Sequence, residues 1–153
     1  MSKLLTVFGA TGNQGGSVIR AILADPVVSK QFTLRGITRD ASKPAAKDLV
    51  AKGVEIKTAD LSSTNEVAAA IAGSHTVFLV TSPNFFNPSA SPELTHRKIV
   101  ADAALAAKHL IYSSLLHVTK ETEGRLSHVV HFDQKAEVES YIREKAIPST
   151  FVA

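Results

Sequence analysis

Cysteine is absent from this chain of 153 residues, which excludes disulfide bonds, thiolate metal ligands and a cysteine nucleophile. No apolar run is long enough to cross a bilayer, so no membrane partner is expected. The first apolar run, residues 4–8, is short and is followed by glycines, so we expect no signal peptide. Lysine and arginine are scattered without the basic cluster that marks nucleic-acid binding. These absences favour a cytoplasmic protein that does not bind nucleic acid directly.

The composition is that of an ordinary globular protein, with 44% hydrophobic residues, 20% charged residues and a net charge of +3. Its length predicts one domain over residues 1–153. Strands are predicted at 4–8, 32–38, 54–59, 76–80, 109–114 and 148–153, helices at 17–24, 44–52, 66–72, 92–108 and 128–145, and loops at 81–92 and 119–127. This alternation predicts an α/β fold, a Rossmann-type doubly wound parallel sheet of order 3-2-1-4-5-6 with helices on both faces.

A glycine-rich turn separates the first predicted strand from the first predicted helix, with the spacing G-x-x-G-x-x-G. Gly9 allows the tight turn, Gly12 lets the backbone approach a diphosphate, and Gly15 lets the helix pack closely on the strand. The N-terminus of the helix offers N–H groups to phosphates. The alternative is a glycine-rich turn that binds no ligand. The context favours a dinucleotide site formed by Gly9, Thr11, Gly12, Asn13, Gln14 and Gly15.

Two cations follow the second predicted strand, where a dinucleotide site distinguishes NADP from NAD. Arg39 stands at the strand end and Lys43 lies four residues further on. A guanidinium matches phosphate geometry with paired donors, and a lysine adds a point charge. Asp40 would favour NAD, but we expect it to point away; alternatively, Arg39 and Lys43 are only solvated loop cations. The pattern predicts NADP(H) as the cofactor.

Other strand ends add residues to the predicted site. Asp60 and Leu61 follow the third strand and are expected to flank the adenine, although Asp60 is equally placed to begin the turn into the next helix. Thr81 follows the fourth strand and is expected near the middle of the cofactor. Ser63 and Glu66 have the spacing of a capping box for the helix between these two strands.

Four segments together resemble the NmrA-like branch of the atypical short-chain dehydrogenase/reductase superfamily. They are residues 9–18 (GATGNQGGSV), 38–40 (TRD), 111–114 (IYSS) and 128–135 (HVVHFDQK), and they extend over nearly the whole chain. The resemblance implies an NADP-preferring Rossmann domain followed by a smaller, substrate-binding C-terminal part. Family members continue past the position of Ala153, so we expect this chain to hold the dinucleotide-binding part alone.

The resemblance also identifies candidate catalytic residues. Ordinary members of the superfamily carry Tyr-x-x-x-Lys on one helix, in which the tyrosine transfers a proton and the lysine binds the nicotinamide ribose. Here the lysine is Lys135, and His131 replaces the tyrosine. A plain surface lysine is the alternative for Lys135. His128 lies three residues before His131, but no carboxylate or cysteine has matching ligand spacing, so no metal site is expected.

Two functions are open at this point. The first is an NADP(H)-binding redox sensor with little or no dehydrogenase activity, which acts on a protein partner such as a transcription factor and is present in the cytoplasm or nucleus. The resemblance supports it, because the family includes fungal regulators of nitrogen metabolism and the loss of the tyrosine goes with weak activity in this branch. The second is an NADPH-dependent reductase of a small carbonyl or quinone-like substrate. We favour the sensor because no matched proton donor is evident.

Overall fold

Six parallel strands form one sheet in the computed structural model, which describes residues 2–80 and 93–153. The strands are β1 (Lys3–Phe8), β2 (Phe32–Thr38), β3 (Glu55–Thr58), β4 (Thr76–Leu79), β5 (His109–Ser113) and β6 (Ser149–Val152). Their order is β3-β2-β1-β4-β5-β6, and every neighbouring pair is parallel. The predicted sheet and its strand order are therefore confirmed.

Helices connect the strands in the described part of the chain. They are α1 (Asn13–Ala24), α2 (Pro44–Ala51), α3 (Thr64–Ile71), α4 (Glu93–Ala103), α5 (Val118–Glu121) and α6 (Val130–Glu144), with short 3₁₀ turns at Val28–Lys30 and Ala104–Ala106. Among the described residues, no helix is both long enough and apolar enough to cross a membrane.

Two hydrophobic clusters cover the two faces of the sheet. On one face, Ile19 of α1 and Leu49 of α2 pack with alternate strand residues such as Val7. On the other face, residues of α3, α4 and α6 pack with the intervening strand residues, including Val77 and Tyr112. Because successive strand residues point to opposite faces, strands covered on both sides read as nearly continuous apolar runs.

The helices differ most from the sequence predictions at three places. Helix α1 begins at Asn13 rather than at residue 17, because Gly16 N–H bonds to Gly12 O and brings the glycines into the first turn. The helix predicted to reach residue 108 gives way to a 3₁₀ turn after Ala103. The predicted loop at 119–127 contains most of α5. The predicted start of α4 at 91–92 lies outside the described residues.

The predicted capping box forms only in part. Ser63 Oγ accepts a hydrogen bond from Glu66 N at 3.3 Å, as expected. However, Glu66 Oε2 accepts from Asp60 N at 2.9 Å instead of returning to the Ser63 N–H, which donates to Asp60 O. The glutamate therefore fixes the turn that leaves β3 as well as the start of α3.

Arg35, in the middle of β2, joins the sheet to the end of α3. Its guanidinium is largely buried and donates to Glu55 Oε2 at 2.8 Å on the neighbouring strand. Its Nη1 also donates to Ala70 O at 2.9 Å and to Ala72 O at 2.8 Å. Ala70 lies in the last turn of α3 and Ala72 directly follows the helix, where carbonyls lack intrahelical donors. Arg35 is thus a C-terminal cap supplied by a strand.

Candidate functional site

The glycine-rich turn forms a closed loop at the carboxyl end of β1. Gly9 has a φ of +63°, which places it in the left-handed region that favours glycine. Gly9 O accepts a hydrogen bond from Gly12 N at 2.9 Å, and Gly12 is the residue from which α1 begins. The first N–H groups of a helix have no intrahelical acceptor. The N–H groups of Asn13 and Gln14 therefore lie at the start of α1, at the carboxyl edge of the sheet. The N-terminus of a helix is a favourable site for an anion.

Gly15 packs α1 against the end of β1 more closely than any side chain would allow. A Cβ at this position would lie 2.4 Å from Gly9 O and 2.7 Å from Phe8 O. Both are backbone atoms, so neither can move aside cheaply. The loop and the first turn of α1 therefore form one rigid unit, in which Thr11, Asn13 and Gln14 are exposed.

The end of β2 lies beside this loop, and the two predicted cations follow that strand. Ala10 N–H donates to Ile37 O at 3.2 Å, which ties the loop to β2 two residues before Arg39. Arg39 and Lys43 are both exposed, and Lys43 is the residue from which α2 begins. Two exposed positive charges thus follow the strand to which the loop is hydrogen-bonded.

The Asp40 carboxylate makes a local turn. Its Oδ1 accepts from Ser42 Oγ at 2.6 Å and from Ser42 N at 2.9 Å. The hydrogen bonds of the Ser42 side chain and backbone lower the pKa of Asp40, so it stays ionised. This carboxylate thus helps to shape the segment between Arg39 and Lys43.

The residues after β3 also form a turn. Asp60 Oδ1 accepts from Ser62 N and Ser62 Oγ, both at 2.8 Å. The backbone and side-chain hydrogen bonds of Ser62 lower the pKa of Asp60. Leu61 is half-buried and packs on the larger core cluster. Asp60 therefore begins the turn toward α3, whereas its contact with adenine stays a prediction. Thr81 lies outside the described residues.

Lys135 of α6 is buried at the end of β5. The residue is only 6% exposed, and its Nζ donates to Ser113 O at 3.0 Å. The same serine donates from Oγ to Gln14 Oε1 at 2.7 Å. Three elements, α1, β5 and α6, thus meet through one residue. The alternative of a plain surface lysine is wrong, because Lys135 is enclosed and hydrogen-bonded.

His131 lies one helical turn before Lys135 and is half-buried. Its ring packs edge-on against Phe132, with a centroid separation of 4.8 Å. Positions four apart share a helix face, so His131 and Lys135 lie on the same side of α6. Whether His131 moves a proton stays a prediction.

Sequence reasoning missed Asp133 of α6, whose carboxylate joins this helix to the start of α5. Asp133 accepts a hydrogen bond from Thr119 N at 3.1 Å and another from Thr119 Oγ1. His117 Nδ1 lies 3.0 Å from Asp133 Oδ1. Burial opposes the charge, but the Thr119 hydrogen bonds and nearby His117 outweigh it and lower the pKa of Asp133. An acidic residue in the first turn of α6 was the signal available in the sequence.

The site therefore has two ends joined by the glycine loop. Helix N–H groups lie at the centre, exposed cations lie on the β2 side, and a buried lysine lies on the β5 side. The strand order reverses between β1 and β4, which is where open α/β sheets bind their ligands.

Comparisons with known proteins agree with this architecture. The model of the NmrA-like family matches residues 1–153. The NmrA-like family domain-containing oxidoreductase ptmS of Penicillium ochrochloron is 39% identical over 146 residues, which are 92% of this chain and 42% of that protein. The chain thus spans less than half the length of this curated relative.

Two solved structures are similar over most of the chain. One is NmrA, a negative transcriptional regulator, in complex with NADP, with a TM-score of 0.80 and 27% identity over 98% of this chain and 44% of that one. The other is an NADPH-dependent quinone oxidoreductase of Escherichia coli bound to NADPH, with a TM-score of 0.73 and 25% identity over 96% of this chain and 47% of that one. NmrA has also been solved with NAD. From the match over its whole length, we conclude that this chain belongs to the NmrA-like family.

Proposed function

We propose that the chain binds NADP(H) across the carboxyl edge of the sheet. The observation that carries the proposal is the closely packed loop of Gly9, Gly12 and Gly15 at the start of α1. The loop is hydrogen-bonded to β2, the strand that the exposed cations Arg39 and Lys43 follow. In this proposal the α1 N–H groups bind the diphosphate, and the guanidinium of Arg39 binds the 2′-phosphate. The family membership and the NADP- or NADPH-bound relatives support it.

Within that binding role, we propose a redox-sensing regulator with little or no dehydrogenase activity. The supporting observation is that His131 occupies the position, one helical turn before Lys135, where a proton-transferring tyrosine is expected. The similarity to the negative transcriptional regulator NmrA gives this role a precedent, with a transcription factor as the kind of protein partner. A sensor must bind the oxidised and reduced dinucleotides with different affinities, since only a differential affinity can shift a conformational or binding equilibrium.

Calorimetric titration with NADPH, NADP⁺, NADH and NAD⁺ tests the binding proposal. We expect NADPH and NADP⁺, which carry the 2′-phosphate, to bind more tightly than NADH and NAD⁺, which lack it. We also expect NADPH and NADP⁺ to differ from each other in affinity. Equal affinity for NADPH and NADH would remove the role assigned to Arg39. Equal affinity for NADP⁺ and NADPH would contradict the sensor.

The second candidate is an NADPH-dependent reductase of a small carbonyl or quinone-like substrate. Two observations favour it. Lys135 is buried and fixed at the β5 end, as a lysine that orients a nicotinamide ribose would be. The curated relative is named an oxidoreductase, and a similar structure is a quinone oxidoreductase.

NADPH oxidation measured over a panel of quinones and aldehydes separates the two candidates. The sensor predicts binding without substrate-dependent oxidation. Turnover that is lost in Lys135→Ala, while the variant still binds NADPH, would establish the reductase and end the sensor proposal.

A further inference from the structure

The Gln14 side chain crosses the sheet edge from the first turn of α1 to the end of β5. Its Oε1 accepts from Ser113 Oγ at 2.7 Å, although the two residues are 99 positions apart in sequence. In the sheet, β4 lies between β1 and β5. Neighbouring strands are about 4.8 Å apart, so a contact from the β1–α1 loop to β5 spans two strand spacings, or about 10 Å. The Gln14–Ser113 contact therefore links the helix that follows β1 to the strand beyond β4.

This position coincides with the path of the dinucleotide, which the proposed function requires. The cations that would hold the 2′-phosphate follow β2, on one side of the glycine loop. The other half of the ligand must then extend from the loop toward β4 and β5. The Gln14–Ser113 bond lies between the loop and Lys135 on that route.

We propose that Gln14, held by Ser113, is a positioning residue for the nicotinamide ring of the dinucleotide. The inference rests on the proposed NADP(H) binding and adds the pair of residues that positions the nicotinamide ring. Ser113 is only 8% exposed, whereas Gln14 is exposed. The buried serine therefore holds the carboxamide in place, and the carboxamide is the group that would contact the ligand. A carboxamide has two N–H donors besides the oxygen that Ser113 binds.

The bond also makes the two halves of the site interdependent. The Ser113 hydroxyl donates to Gln14, and the Ser113 carbonyl accepts from Lys135. Ser113 therefore fixes α1 and α6 against the end of the same strand. Replacing Ser113 with alanine removes only the hydroxyl and leaves the carbonyl that Lys135 binds. The contribution of Gln14 can therefore be separated from that of Lys135.

The test compares NADPH with 2′-phospho-ADP-ribose, which has the same adenosine, phosphates and second ribose but no nicotinamide. Both are titrated calorimetrically into the wild type, Gln14→Ala, Ser113→Ala and the double variant. One net hydrogen bond is worth about three- to tenfold in affinity. We expect each single variant to weaken NADPH binding by about that factor and to leave 2′-phospho-ADP-ribose binding unchanged. The double variant should lose no more than either single one, because both remove the same bond.

Two further variants exclude a general structural effect. Ser113→Thr keeps the hydroxyl donor and should restore the wild-type ratio of the two affinities. Ser17→Ala removes a hydroxyl that bonds to Asn13 O in the same part of α1, without contacting β5, and should leave the ratio unchanged. Because Gln14 is exposed, Gln14→Ala should fold even if Ser113→Ala does not.

The outcomes are distinct. Equal weakening of both ligands, additive losses in the double variant, or an unchanged ratio would overturn the role of Gln14 while NADP(H) binding stands. Tighter NADPH binding in Gln14→Ala would also overturn it, because the bond would then obstruct the nicotinamide. A wild type that binds neither ligand would overturn the proposed function, and this inference with it.

Discussion

Replacing Gly15 with alanine should separate α1 from the end of β1. The added Cβ would lie 2.4 Å from Gly9 O and 2.7 Å from Phe8 O. Ordinary carbon–oxygen contacts begin at about 3.3 Å, so the helix start must move by nearly 1 Å. Overpacking against atoms that cannot rotate away costs about 3 kcal/mol, at the upper end of its usual range. Alanine recovers about 1 kcal/mol through helix propensity, which leaves a net loss of about 2 kcal/mol.

The neighbouring glycine provides a matched control. A Cβ at Gly16 would lie 3.1 Å from Arg20 Nη1, the end of a flexible side chain, and 3.3 Å from Ala10 O. Gly16→Ala has the same gain in helix propensity but makes no contact under 3.0 Å. The difference between the two variants therefore isolates the collision with the loop backbone.

Thermal and urea unfolding, followed by far-ultraviolet circular dichroism, measure this difference. For a chain of this length, 2 kcal/mol lowers Tm by about 4–8 °C. We also expect Gly15→Ala to weaken NADPH binding by more than about tenfold, because the N–H groups at the start of α1 move with the helix. Equal stability and equal NADPH affinity for the two alanine variants would refute the close packing as the basis of the site.

Three further predictions concern Arg39, Arg35 and Asp133. Arg39→Ala should weaken NADPH binding about tenfold and leave NADH binding unchanged, since a charged hydrogen bond to the 2′-phosphate is lost; calorimetry showing equal losses would contradict this. Arg35→Met should cost about 2–4 kcal/mol in urea unfolding because two carbonyls at the end of α3 lose their donor. Its control, Arg143→Ala, breaks the pair with Glu139, in which the arginine is 62% exposed, and the contact of the guanidinium with the Phe151 ring. Both interactions lie near the surface, so this variant should cost only about 1 kcal/mol. The pKa of Asp133 is lowered by folding, so its charge stabilises the native state above the ordinary value of 3.8 and less as pH falls below it. Asp133→Asn should therefore be less stable than wild type near neutral pH, with the gap narrowing below pH 3.8, and a gap independent of pH would contradict the argument.

The order of elements and the position of the glycine loop were determined by the sequence alone. Alternating apolar runs, a turn with three spaced glycines and the residues Arg39 and Lys43 after β2 are local patterns, readable within a few positions of the chain. Strand order follows from these patterns because parallel strands joined by helices have few favourable arrangements. The strand order could therefore be predicted without knowledge of any contact, and the structure confirms it.

Helix ends were predicted less well because they depend on capping groups rather than on periodicity. Glycines at 15 and 16 have low helix propensity, yet they belong to α1 because its backbone bonds begin at Gly12. Helix α5 was missed since its stabilising partner, Asp133, is distant in sequence from Thr119.

Only the tertiary structure decided which polar groups meet. Lys135 reads as a surface lysine or a ligand-binding one in the sequence, and its burial against Ser113 O follows from how α6 packs on β5. The partners Gln14 and Ser113 are 99 residues apart in sequence. They come into contact because the sheet order places β5 only two strands from β1. Local patterns follow from backbone geometry and the periodic burial of side chains. A hydrogen bond between distant residues depends on the registered packing of several elements, which no short stretch of sequence contains.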